Sequence, residues 1–243
     1  MPTRELVSRD SRRLSLGAGV IDYVLMRRYG RRGVGLKVDE NGLTVSAPST
    51  MPVTKVEALV RESERWILRK IAEWSHRKIP PMQWGEGARV PFLGGGLTLR
   101  LARGTRSRAD RRDMELWIVT RNGTAPEIER AVVRWYRRAA EAHLSERLQA
   151  LAQAARITPA PTLTISSAMA RWGSCSSTRE VRLAWRLVKA PGDLVDYVIC
   201  HELAHLRHMD HSNAFWAEVE RQCPDYRRRR ARLNDMDHLY RTF

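Results

Sequence analysis

The segment from Cys200 to His211 constrains the fold of this chain more than any other, because it contains the pattern His-Glu-x-x-His. In an α-helix of about 3.6 residues per turn, His201 and His205 lie one above the other on one face, and Glu202 stands beside the first. Two imidazoles so placed can bind one divalent metal ion. A catalytic zinc ion takes three protein ligands and leaves the fourth position to water. The pattern therefore predicts a metal-binding helix and requires a third ligand.

Two further histidines are candidates for that third ligand. His208 lies about 10 Å along the helix axis from His201, at a rise of about 1.5 Å per residue, which is too far for one metal ion to hold both. His211 has the spacing of the last ligand in the zinc-protease pattern His-Glu-x-x-His-x-x-Gly-x-x-His. Here His208 stands at the glycine position, so the chain must turn by other means. We predict one zinc ion per chain, bound by His201, His205 and His211.

Carboxylates offer alternatives in and around this site. Glu218 and Glu220 are rival third ligands, because another group of His-Glu-x-x-His enzymes uses a glutamate from a following helix. Imidazole ligands also tend to donate their second N–H to a carboxylate or a carbonyl. The acidic candidates near the motif for that role are Asp196, Asp210 and Glu218.

The chemistry expected of this constellation is hydrolysis of a peptide bond. Zinc can lower the pKa of a bound water to about 7 and polarise the scissile carbonyl. Glu202 follows the first ligand directly and is placed to accept the proton of that water as general base. The residue that assists in stabilising the oxyanion is left open among Arg171, Tyr197 and His208.

The N-terminal half is predicted to be rich in strands. Alternating apolar runs flank Asn41-Gly42, which is a strong hairpin signal, and an amphipathic helix is expected from residue 52 to about 77. Strand patterns return at 89–92, 97–101 and 114–120. These elements indicate an α+β fold whose N-terminal module spans residues 1–123.

The remaining residues, 124–243, are predicted to form a second domain with a helical lead-in over 124–155 and its motif core at 160–235. Residues 180–187 alternate between apolar and polar, which predicts a half-buried strand just before the metal helix. This strand is either an interior strand or the sheet edge to which an extended substrate adds. Asp193 is the expected N-cap of the metal helix. Helices are also expected at 213–222 and 225–233.

Charge and cysteine content bear on partners and location. The chain has 43 Lys and Arg against 27 Asp and Glu, a formal charge of +16, which favours nucleic acid as a partner unless it is only a solvated basic surface. Three cysteines without paired spacing predict neither a disulfide framework nor a cysteine metal site. The N-terminus has no signal-peptide pattern, and no apolar run has membrane-spanning length. We therefore expect a cytoplasmic protein that makes no membrane contact.

Several short segments together resemble the YgjP-like family of bacterial metal-dependent hydrolases, which is related to SprT-like and other zincin proteases. They are Arg171-Trp172-Gly173-Ser174-Cys175, Trp185-Arg186-Leu187, residues 196–206, His211-Ser212, Phe215-Trp216 and Pro224-Asp225-Tyr226. The resemblance implies a zinc site of His201, His205 and His211, with Glu202 as catalytic base. It also implies a small zincin-like metallopeptidase domain in which a short sheet backs the metal helix.

Three hypotheses follow for the function. The first is a zinc metallopeptidase that cleaves polypeptides of unknown identity. The second, from the charge and the SprT-like kinship, is a protease that acts on proteins bound to nucleic acid. The third is a non-catalytic binding module with a structural metal, against which the intact general base Glu202 argues.

Overall fold

A computed structural model describes residues 5–17, 19–39, 41–75 and 80–243. The chain divides into two compact units, Met1–Pro80 and Pro81–Phe243. This division differs from the predicted boundary after residue 123. The reason is that strand residues such as Leu116 and Ile118 share one hydrophobic core with Ile128 and Val132 of the following helix. The α+β class is confirmed.

The first unit is a four-stranded sheet followed by two helices. Its strands are β1 (Leu6–Leu16), β2 (Gly19–Arg28), β3 (Gly35–Asp39) and β4 (Gly42–Pro48), in the order β1-β2-β4-β3. The outer pairs are antiparallel and the central pair is parallel. The predicted hairpin joins β3 to β4, and Gly42 adopts the positive φ that this turn requires. Residue 40, within that turn, and residues 76–79, at the end of the predicted helix, lie outside the described residues.

The long helix expected after β4 consists of two helices. They are α1 (Val53–Glu62) and α2 (Glu64–Ser75), which are separated at Ser63. Val56, Val60 and Ile67 are fully buried and pack with the inward residues of the sheet. The helical spacing of apolar residues thus runs through the break, which is why the sequence predicts one helix.

The second unit begins with a sheet of the same topology, although the sequence shows no repeat. Its strands are β5 (Arg89–Phe92), β6 (Gly95–Arg103), β7 (Arg108–Arg112) and β8 (Glu115–Thr120), in the order β5-β6-β8-β7. Strand β7 falls in a basic run that gave no strand signal, because Ala109 is its only buried residue. Helix α3 (Ala125–Ala154) follows and buries a continuous apolar face. This sheet and α3 form part of the core on which the motif region rests.

The motif region contains a three-stranded sheet and three helices. The elements are β9 (Thr162–Ser166), β10 (Gly173–Cys175), β11 (Glu180–Ala184), a 3₁₀ helix (Trp185–Lys189), α4 (Gly192–His205), α5 (Asn213–Gln222) and α6 (Tyr226–Tyr240). The sheet order is β10-β11-β9, so β11 is the central strand and not the edge. The strand predicted to reach Leu187 ends at Ala184, because Trp185, Leu187 and Val188 are all buried together in the 3₁₀ helix.

Helix α4, which carries the His-Glu-x-x-His motif, lies largely in the core. Its N-cap position is occupied by Pro191, so the predicted N-cap role of Asp193 is wrong. Asp193 lies in the first turn, where the positive end of the helix dipole stabilises an acidic side chain. It also forms an ion pair with Arg232 of α6 at 2.8 Å. Within the described part of the chain, no helix is both long enough and apolar enough to cross a membrane.

Candidate active site

Three imidazoles converge at the C-terminal end of α4. One ring nitrogen from each of His201, His205 and His211 lies within 4.8 Å of the others. Nε2 of His201 and Nε2 of His211 are 3.3 Å apart. Nitrogen ligands about 2.0–2.1 Å from a tetrahedral zinc ion lie about 3.4 Å from each other, so this spacing suits the metal. The structure thus brings together the three histidines predicted as ligands.

The protonation and orientation of the rings also suit a metal. Nδ1 of His205 lies 3.1 Å from the backbone carbonyl of His208. When Nδ1 donates to that oxygen, Nε2 of His205 is left unprotonated. Burial, with smaller contributions from His205 and His211, lowers the pKa of His201 to about 4. Neutral imidazoles are the form that binds metal, so the residues present fit a zinc ion.

Helix α5 supplies an aromatic support for the three rings. Phe215 is fully buried, and its ring centroid lies 4.9, 4.5 and 4.7 Å from those of His201, His205 and His211. Trp216 lies beside His201 and His211, at 5.7 and 5.9 Å. In the sequence, Phe215 and Trp216 stand out as apolar residues of a predicted helix and as part of the family resemblance, neither of which indicates a contact with the histidines. Their contact with the histidines depends on how α5 packs against α4.

The turn that brings His211 back to α4 uses no glycine. Backbone N–H groups of Leu206, Arg207 and His208 donate to carbonyls of the last turn of α4. The Asp210 carboxylate then accepts the N–H of Ser212 at 3.2 Å, and the Ser212 hydroxyl caps α5. The role of His208 here is its backbone carbonyl, which accepts from His205.

Glu202 is buried against the backbone of β10. Its side chain is 4 % exposed, and Oε2 has no hydrogen-bond partner among the described residues. Burial raises the pKa of the Glu202 carboxyl to about 8, and the positive charge of Arg171 opposes that rise. A Cβ atom at Gly173 would lie 2.5 Å from Oε1 of Glu202. Only glycine at this position leaves room for the carboxylate, a requirement that sequence reasoning missed.

The acidic residues considered as partners of the ligand histidines are engaged elsewhere. Asp196 accepts two hydrogen bonds from Arg147 of α3, at 2.9 and 2.8 Å. Glu218 accepts from Arg221 and Gln222 and forms an ion pair with Arg207. These contacts occupy the carboxylate of the rival ligand Glu218.

Two of the candidates for oxyanion stabilisation lie near the site. The ring of Tyr197 is 6.2 Å from that of His201, and burial raises the pKa of its hydroxyl to about 12. Arg171 is exposed and lines a cavity of about 200 Å³ together with Gly173. This cavity borders β10, the edge strand of the three-stranded sheet.

Comparison with known proteins identifies a family for this chain. A family model described as "YgjP-like, metallopeptidase domain" matches residues 32–236. The zymogen of the metallopeptidase abylysin from Pyrococcus abyssi aligns at 22% identity and a TM-score of 0.36, over 41% of this chain and 98% of its own. The zymogen of jannalysin from Methanocaldococcus jannaschii aligns at 19% identity and 0.32, over 37% and 94%. A search among curated proteins gave no match.

Proposed function

Since the chain belongs to the YgjP-like metallopeptidase family, we propose that it is a zinc-dependent peptidase with His201, His205 and His211 as metal ligands and Glu202 as general base. The observation that carries the proposal is the convergence of three imidazole nitrogens within 4.8 Å at the end of the helix that also carries Glu202. Three nitrogen donors are the ligand number of a catalytic zinc site.

The chain's own residues divide the chemistry between them. Zinc, when bound, supplies a Lewis acid that activates water and polarises the substrate carbonyl. Glu202 accepts the proton of the attacking water on a carboxylate oxygen and returns it to the nitrogen of the leaving amine. Phe215 keeps the three imidazoles in place, and the His208 carbonyl fixes the orientation of His205.

We place the polypeptide substrate along β10. An edge strand offers unpaired backbone N–H and C=O groups, which can pair with any extended peptide regardless of its sequence. Strand β10 lies at the edge, and its Gly173 borders Glu202. This assignment replaces β11, whose two sides are already paired with β10 and β9. The three cysteines are free, in keeping with the reducing cytoplasm that we propose as its compartment.

Removal of the metal tests the proposal. We expect a chelator to abolish cleavage of an unfolded protein such as reduced casein, and about one equivalent of Zn²⁺ per chain to restore it. Metal content is measured by atomic emission and cleavage by release of peptides. Full cleavage by metal-free protein would contradict the proposal.

A second test uses the close approach of Gly173 to Glu202. In the variant Gly173→Ala the new methyl group must displace the carboxylate, whose Oε1 would lie 2.5 Å from Cβ. We expect kcat to fall by about 10²-fold, the cost of misplacing a catalytic group by about 1 Å. The matched control is Gly192→Ala on α4, where a Cβ would meet open space and activity should be unchanged. Wild-type kcat in a folded, zinc-loaded Gly173→Ala protein would contradict the contact.

A further inference from the structure

One face of α3 carries a row of arginines. Arg130, Arg134 and Arg137 are exposed and follow one another at intervals of four and three residues, so their Cα atoms lie on one side of the helix over about 10 Å. Together with Arg186 and Phe243 they line a cavity of about 400 Å³. We call these five residues the arginine groove.

A second cavity extends the groove along α3. It has a volume of about 180 Å³ and shares Arg130 and Arg134 with the first. Arg121 adds another guanidinium, and Thr105 and Ser107 add hydroxyl groups. The two cavities thus form one path lined by cationic and hydrogen-bonding side chains.

The arginines of the groove have no acidic side chain as a partner within residues 80–243. Arg134 and Arg137 donate instead to the hydroxyls of Ser107 and Ser167, and Arg186 donates to the backbone oxygens of Phe243 and Ser167. Burial, then the charges of Arg137 and Arg241, lower the pKa of Arg186, so like charges are crowded there. Two acidic residues also line the cavities. Glu129 lines the larger one, and Glu127, which lines the smaller one, accepts hydrogen bonds from Asn122. A bound polyanion would relieve this repulsion.

Apolar groups form part of the same surface. Val133 and Phe243 line the larger cavity between the arginines, and the ring of Phe243 packs edge-on against Trp84 at 4.8 Å. A cationic track beside apolar and aromatic side chains is the chemistry with which proteins bind single-stranded nucleic acid, since phosphates meet arginines and bases meet apolar surface. A polyanion without bases or apolar side chains, such as poly-glutamate, would use the charges but not the apolar surface.

We propose that the arginine groove binds the phosphodiester backbone of single-stranded nucleic acid. Successive arginines on α3 are separated by about 4.5–6 Å along the axis, so each can contact a different phosphate. One end of the groove also approaches the peptidase site. Arg137 and Arg186 both hydrogen-bond to Ser167, whose neighbours Ser166 and Ala168 line the cavity that contains Gly173. A protein held on bound nucleic acid would therefore be presented near Glu202.

Binding of a fluorescent oligothymidylate of about 20 nucleotides tests this proposal in the full-length protein. We expect wild-type binding at about 50 mM salt that weakens steeply as salt rises. The variant R130Q/R134Q/R137Q should lose at least tenfold in affinity, and the slope of log K against log salt should fall by about 2, or about 0.7 for each lost phosphate contact. Its cleavage of casein should be unchanged, so this result does not depend on the proposed peptidase activity.

The matched control is R108Q/R221Q/R228Q, which removes the same charge from arginines that are paired with Asp110, Glu218 and Asp225. This control should retain most of the affinity and the salt slope. Equal losses in both variants would overturn the groove and leave only diffuse attraction by net charge. No binding by wild type, or equally tight binding of poly-glutamate or inorganic polyphosphate, would overturn nucleic acid as the occupant.

Discussion

Replacing Glu202 with glutamine is expected to lower kcat for cleavage of an unfolded protein by about 10²–10⁴-fold, the range attributed to general acid–base catalysis. Glutamine has the shape of glutamate but cannot accept the proton of the attacking water. The substitution should leave the fold intact, because Oε2 of Glu202 is buried without a hydrogen-bond partner among the described residues, so replacing it breaks no hydrogen bond to that atom. Bound zinc and the unfolding temperature should therefore match wild type.

The control for this experiment is Glu220→Gln, which removes an exposed carboxylate from α5 and should keep full activity. Zinc content, unfolding temperature and kcat are measured on all three proteins. Activity of Glu202→Gln equal to that of wild type would exclude Glu202 as the base. Zinc-loaded wild type that cleaves no protein would instead favour the non-catalytic binding module.

Replacing His211 with alanine is expected to weaken zinc binding by more than 100-fold. Mutation of a residue that only orients a ligand already lowers metal affinity by about 10–100-fold, and loss of the ligand itself should cost more. His211 is exposed, so its loss should cost little stability. The matched variant Glu218→Gln should keep zinc, since the Glu218 carboxylate is held by Arg221, Gln222 and Arg207. The ion pair and hydrogen bonds lower the pKa of Glu218, so it stays charged and paired at neutral pH.

Zinc affinity in both variants is measured by competition with a chromogenic chelator, well below their unfolding temperatures. Retention of zinc by His211→Ala together with its loss from Glu218→Gln would make Glu218 the third ligand. Glu218→Gln is also expected to unfold at a lower temperature, because a buried carboxylate loses part of its hydrogen bonding. The unfolding temperature and the zinc affinity of Glu218→Gln therefore distinguish a structural role of Glu218 from a role as metal ligand.

Much of the fold was predictable where side-chain pattern and backbone geometry agree. The hairpin at Asn41-Gly42 and the helices α3 and α5 follow from turn residues and apolar spacing. Strands β1 and β7 escaped prediction because most of their residues are exposed and charged or polar, so hydrogen bonding to a neighbouring strand defines them. The 3₁₀ helix from Trp185 escaped for another reason. Its alternation resembles that of a strand, and only the packing of Trp185 and Leu187 into the core distinguishes the two.

The sequence by itself determined that His201 and His205 share a helix face with Glu202 nearby, because the geometry of an α-helix fixes the relation of residues one turn apart. Only the tertiary structure decided that Phe215 supports all three imidazoles and that Gly173 makes room for the carboxylate of Glu202. It also decided that the Asp196 carboxylate pairs with Arg147 of α3. These contacts join separate elements, and packing of the whole core sets their distances, which no local pattern of residues encodes.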